Sequence, residues 1–132
     1  MGRVGEFEQL VVWQRARQLA VALYALTRNA QFRADWGLAG QIQRAAVSIM
    51  ANLADGHERG SPREFVRFIQ IAKGSCAELR SHLYLARDVD LIAPAEAERH
   101  LADAAEIGRM LGALRRSILA SNPRATKDRP RS

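Results

Sequence analysis

One cysteine in 132 residues excludes an intrachain disulfide. That residue, Cys76, falls on an apolar helical seam, where a thiol serves as a small hydrophobe rather than a nucleophile. No run is long and apolar enough to span a bilayer, and MGRVGEFEQL lacks the continuous apolar stretch of a secretory signal. A protein of the cytoplasm, without membrane attachment, is therefore expected. Strand alternation and internal low-complexity tracts are absent as well. The four prolines interrupt no periodic segment: Pro62 and Pro94 open helical patterns, Pro123 closes one, and Pro130 lies in the last residues.

What is present is helical. The length fits one domain large enough to bury a core. Phe65, Ile69, Ala72, Cys76, Leu79, Leu83 and Ala86 alternate steps of four and three, the seam of a bundle. Leu38, Ile42, Ala45, Ile49 and Leu53 form a similar face before it. Between them, Gly56 is expected to end one helix in the left-handed conformation, and Ser61-Pro62-Arg63-Glu64 reads as a capping box opening the next. A first helix from Phe7 or Leu10 to Thr27 and a fourth from Pro94 to Asn122 complete the set, with Asp35 capping the second. The expected fold is all-α, an antiparallel up-down-up-down four-helix bundle over residues 1–120, followed by a basic, unpacked tail over 121–132. A three-helix bundle with a separate first helix is the alternative.

Two clusters do not fit one core. Leu10 to Trp13 and Leu83 to Leu85 are consecutive apolar residues, so neither set can point wholly inward. Val11, Trp13, Tyr84 and Leu85 are accordingly candidates for an oligomer interface. Gly74, alone inside the third helix, suggests close approach of a neighbouring helix.

Catalytic constellations are missing. A di-metal bundle needs inward glutamates with two Glu-x-x-His repeats, whereas His82 and His100 follow Glu78 and Glu96 by four. Asp55, His57 and Glu58 gather at the inter-helix turn without a nearby nucleophile, and the small size of Ser48 and Ser75 explains their helical positions. No metal, cofactor or enzymatic activity is expected.

Charge is better organised. There are 20 Lys and Arg against 14 Asp and Glu, a net charge of +6. Arg59, Arg63 and Arg67 recur every four residues, and Lys73, Arg80 and Arg87 every seven, flanking the seam. About half of such flanking charges are expected to pair across helices. The rest, with Arg44 and the tail residues Arg124, Lys127, Arg129 and Arg131, are candidates for phosphate contacts. No aromatic platform for stacking bases is evident.

The segment Phe7-Glu8-Gln9-Leu10-Val11-Val12-Trp13, then Gln41-Ile42, Arg44-Ala45-Ala46-Val47-Ser48-Ile49, Asn52, Ala54-Asp55-Gly56, Arg59, Ser61, Glu64-Phe65, Phe68, Gly74-Ser75 and Glu78-Leu79 resembles the four-helix-bundle proteins encoded in intervening sequences of bacterial 23S rRNA genes. Asp55 stands where that family usually has Glu. The family is similar in fold to the accessory variability protein of diversity-generating retroelements, a pentamer that binds nucleic acid and a reverse transcriptase. The resemblance implies a homo-oligomer, a pentamer by preference, with RNA or DNA as partner and a protein partner such as a reverse transcriptase by fold analogy only. The expected function is non-enzymatic nucleic-acid binding; a protein-interaction adaptor is the alternative.

Overall fold

The computed structural model describes residues 6–126. Five α-helices occur among them: α1 (Val11–Thr27), the single turn α2 (Ala30–Arg33), α3 (Trp36–Glu58), α4 (Pro62–Asp88) and α5 (Pro94–Ser121). Short 3₁₀ turns, η1 (Phe7–Gln9) and η2 (Pro123–Thr126), precede and follow them. The four long helices pack in a closed circuit, α1 on α3, α3 on α4, α4 on α5, and α5 back on α1. No helix among the described residues is long and apolar enough to cross a membrane.

The seam read from periodicity is the core. Ile42, Ile49 and Leu53 of α3, Ile69, Leu79 and Leu83 of α4, Leu23 of α1 and Leu111 of α5 are fully buried. Trp13 belongs here too. It is 8% exposed and meets Phe7 edge-on at 5.2 Å, so it is a core residue and not an interface candidate. Val11, one position earlier, points outward at 61% exposure, as consecutive helical residues must diverge by about 100°.

Helix ends follow local chemistry. The Asn29 and Asp35 side chains accept from the backbone N–H groups of Phe32 and Leu38, at 2.8 and 3.1 Å. Ser61 caps α4 by accepting from the Glu64 N–H at 3.3 Å. The Glu64 carboxylate turns to Arg67 and Arg59 instead, so the box is half formed. Gly56 does not end α3. It lies buried inside the helix, and the left-handed residue is Gly60, φ +78°, after the cap Arg59. Asp90, φ +65°, does the same after α4, with the Leu91 N–H reaching back to the Ala86 carbonyl at 2.8 Å and Gln31 Nε2 donating to the Asp90 carbonyl at 2.7 Å.

The close crossing of α3 and α4 is also relocated. A Cβ on Gly74 would meet nothing within 4 Å, whereas one on Gly56 would stand 2.4 Å from the Phe68 Cβ. Gly74 is thus an open position, and Gly56 is the contact point. Ser48 and Ser75, whose size alone explained them in sequence, join α3 to α4 through their hydroxyls at 2.8 Å. Asn52 braces that pair, donating from Nδ2 to the Ser48 carbonyl and hydroxyl at 2.8 and 3.0 Å. On the other flank, Thr27 donates to the Leu23 carbonyl and accepts from Gln43.

The segment beyond residue 120 packs at first. Ala125 is buried, and η2 lies against both α4 and α5. Packing therefore reaches Ala125, past residue 120. Lys127, Arg129 and Arg131 lie outside the described residues.

One buried titratable group has a measurable consequence. His100, 6% exposed, has neither ring nitrogen hydrogen-bonded. Burial pushes its pKa below the ordinary 6.5, with Glu96, 3.8 Å away, opposing the shift. The folded state then refuses a proton that the unfolded chain accepts. The contribution is fully present above pH 6.5 and is lost as pH falls through the imidazole range. Chemical denaturation at pH 7.5 and pH 5.5 should show that loss, and His100→Leu should flatten it over this interval; an equal slope in the variant would refute it.

Candidate nucleic-acid interface

The basic residues of α4 and of the turn before it divide by their partners. Arg59 binds Asp55 at 3.1 Å and approaches Glu64 at 3.9 Å; Arg67 binds Glu64 at 3.4 Å. Both guanidinium groups also lie over the Phe68 ring, at 4.6 and 4.7 Å, which holds them against the protein. Arg87 binds its neighbour Asp88 at 3.1 Å and covers the Tyr84 ring at 5.0 Å. These pairs are local in sequence, formed within a helix or across the α3–α4 turn, and not between the long helices as expected.

Lys73 and Arg80 differ. They line one wall of a groove of about 540 Å³ between α4 and α5, and Arg109 and Arg116 line the other. Ala77, Ala105, Gly108 and Gly112 keep its floor low. The geometry at Gly112 is specific: a Cβ there would stand 3.5 Å from Arg116 Nη1 and 3.6 Å from Lys73 Nζ. Two cations from different helices thus hang over one glycine. Neither has a carboxylate partner among the described residues, nor does Arg80. Arg109 is neutralised by Glu106 at 2.7 Å. An unpaired set of like charges in a shallow groove raises the local positive potential and attracts anions.

Cys76 lies at the groove base. Burial drives its pKa up to about 11, overcoming the opposing pull of Arg80 and Lys73. The thiol stays protonated at neutral pH and is a poor nucleophile. The polar cluster at the α3–α4 turn disperses: Asp55 is committed to Arg59, while His57 packs edge-on against Phe65 at 5.4 Å. Among the described residues, no three His, Cys, Asp or Glu side chains gather as metal ligands.

Sequence reading missed Arg109, Arg115 and Arg116. A signal was available, since Arg109 and Arg116 repeat the seven-residue interval of Lys73 and Arg80. Arg63 lines a separate recess with Arg115. Arg44 stands on α3 beside Gly40, outside the groove, and Arg124 is exposed on η2. Tyr84, half exposed, shares the side of α4 that carries Lys73, Ala77, Arg80 and Arg87, as the steps of three and four require. Leu85 is 50% exposed on a different side. Trp36, at 81% the most exposed large apolar residue among those described, was not singled out by periodicity because it opens a helix.

The sequence model of the 23S rRNA-intervening sequence proteins matches residues 8–113. A solved structure of a protein with unknown function from the S23 ribosomal protein family of Bacteroides thetaiotaomicron superposes with a TM-score of 0.73. That pair is 24% identical and covers 79% of this chain and 97% of the other, a likeness of fold. No curated protein matches the chain.

Proposed function

The chain belongs to the family of 23S rRNA-intervening sequence proteins, and from that premise we propose that it is a non-enzymatic, homo-oligomeric bundle of up-down-up-down helices that binds RNA or DNA in the cytoplasm through phosphate contacts. The observation that carries this reading is the convergence of Lys73 and Arg116 over Gly112, with Arg80 on the wall of Lys73 and no acid in the groove lining among the described residues. A cation pair of this kind is satisfied by a shared anion. Phosphates recur along a nucleic-acid backbone at a spacing that the groove, about 10 Å between Lys73 and Arg80 along the helix, accommodates. Repetition of the groove by subunit symmetry would multiply the contacts, and a pentamer is the proposed form.

Fluorescence anisotropy with labelled single-stranded RNA and DNA, titrated across salt concentration, tests the reading. Affinity should fall steeply with salt, with a logarithmic slope of about 0.7 for each phosphate contact made to a single strand. No binding at low salt would end the proposal. Mass measurement in solution reads the subunit number, and a monomer at micromolar concentration would remove the oligomeric part.

A second reading has its own observation. Val11, Val21, Trp36 and Leu85 expose half or more of their surface, which suits a protein-interaction adaptor. Recovery of a stable protein partner after nuclease treatment, together with absent nucleic-acid binding, would favour it.

A further inference from the structure

A second basic site lies beyond the groove, toward the start of α4. A recess of about 480 Å³ is lined by Arg63, Arg67 and Gln70 of α4 and Arg115 of α5, with Ala125 of η2 forming a wall. Its volume is that of a small-ligand pocket, for which the usual range is about 300–1,000 Å³. Arg115 is half-buried, and its Nε is shut off from solvent with no hydrogen-bond partner. Closed off as it stands, that Nε does not itself face the recess, and what offers Arg115 to an anion is the place of its side chain in the lining with no carboxylate bound to it. Arg63 likewise has no carboxylate partner among the described residues. The acid in the recess, Glu64, is already held between Arg67 and Arg59, so its charge does not cancel those of Arg63 and Arg115.

We propose that this recess binds a phosphate monoester, the terminal phosphate of a nucleic-acid strand, in preference to an internal phosphodiester. Three features select the end of a strand. A monoester carries close to two charges at neutral pH and three acceptor oxygens, against one charge for a diester, and so matches two unpaired guanidinium groups. The wall at Ala125 suits a group that stops there over a backbone that must pass through. Gln70 offers an amide that can both donate to and accept from the adjoining nucleotide. Arg115 and Ala125 lie past residue 113, where the family match ends, so the recess is completed by this chain's own C-terminal segment. The proposal rests on the nucleic-acid reading above and adds an end preference to it.

The test compares one oligonucleotide sequence with a phosphate or a hydroxyl at its 5′ end, and again at its 3′ end, binding to the full-length protein. One phosphorylated form should bind about fivefold to tenfold more tightly, the effect of one added charge-assisted contact. Arg115→Gln should abolish the preference while leaving the hydroxyl form's affinity within about twofold. The exposed Arg63→Gln provides the same readout if Arg115→Gln fails to fold. Equal affinity for phosphate and hydroxyl ends, with salt dependence intact, overturns the recess and leaves the groove. If no oligonucleotide binds, the nucleic-acid reading fails, and the recess is decided by titrating uridine monophosphate while following the Arg115 Nε–Hε resonance. A shift with the monophosphate and none with uridine supports the site; no shift refutes it.

Discussion

Replacing Lys73, Arg80 and Arg116 together by glutamine is expected to lower nucleic-acid affinity on the order of a hundredfold at about 0.1 M salt, or about 3 kcal/mol, and to flatten the salt slope by about 2 to 3. The reason is that these three cations carry no internal partner among the described residues, so nothing but the ligand answers their charge. Arg59 and Arg87 provide the contrast. Both are already paired with carboxylates and lie against aromatic rings, and Arg59→Gln or Arg87→Gln should change affinity by no more than about twofold. Glutamine keeps two methylenes of each aliphatic stem, and the groove floor is formed by alanines and glycines, so folding should be preserved. Circular dichroism checks this alongside the anisotropy titration. A triple variant that binds as tightly as the parent would show that the groove does not face phosphate. Equal losses from the paired and the unpaired cations would show that only net charge matters.

Gly56→Ala is expected to be the most damaging single methyl in the α3–α4 hairpin. The added Cβ would stand 2.4 Å from the Phe68 Cβ and 3.1 Å from its Cγ. Those atoms sit at the root of a side chain that is itself buried, so relief requires the helices to move apart. Overpacking of this kind costs about 1–3 kcal/mol, and the backbone-proximal clash places this case at the upper end. For a domain of this size that is a fall of roughly 10 °C in Tm. Gly74→Ala has the opposite expectation. Nothing lies within 4 Å of the new methyl, and replacing a mid-helix glycine should add about 0.5–1 kcal/mol. Thermal denaturation of the two variants side by side checks both signs. If Gly74→Ala were the destabilised one, the close crossing would lie where the isolated glycine first suggested it.

This pair of glycines shows where sequence reading succeeds and where it stops. The heptad seam, the Ser61 cap and the terminal stop at Asn122-Pro123 depend on residues close together in the chain, and all three are present in the fold. Which glycine meets a neighbouring helix depends on how two helices are phased about their axes. Local pattern does not contain that quantity. Gly60 takes the left-handed turn because α3 continues for two residues beyond Gly56. The basic site was half legible for the same reason. Lys73 and Arg80 could be named from their interval, but their significance lies in facing Arg116 across Gly112, and that meeting exists only once α4 and α5 are placed side by side. The run of apolar neighbours makes Trp13 an interface candidate, although its ring turns inward to Phe7.

The Ser48–Ser75 contact with its Asn52 brace acts as an index pin for the molecule. An all-apolar seam would let α4 slide along α3 by a turn at little cost, since one aliphatic side chain replaces another. Sliding here would break the hydroxyl contact between the helices and carry the buried Ser75 away from Ser48, while Asn52 stays with Ser48 on α3. Lys73 is two residues from that pin. Its height along the bundle, and with it the spot where it overhangs α5, is thereby set by a hydrogen bond on the far side of its own helix.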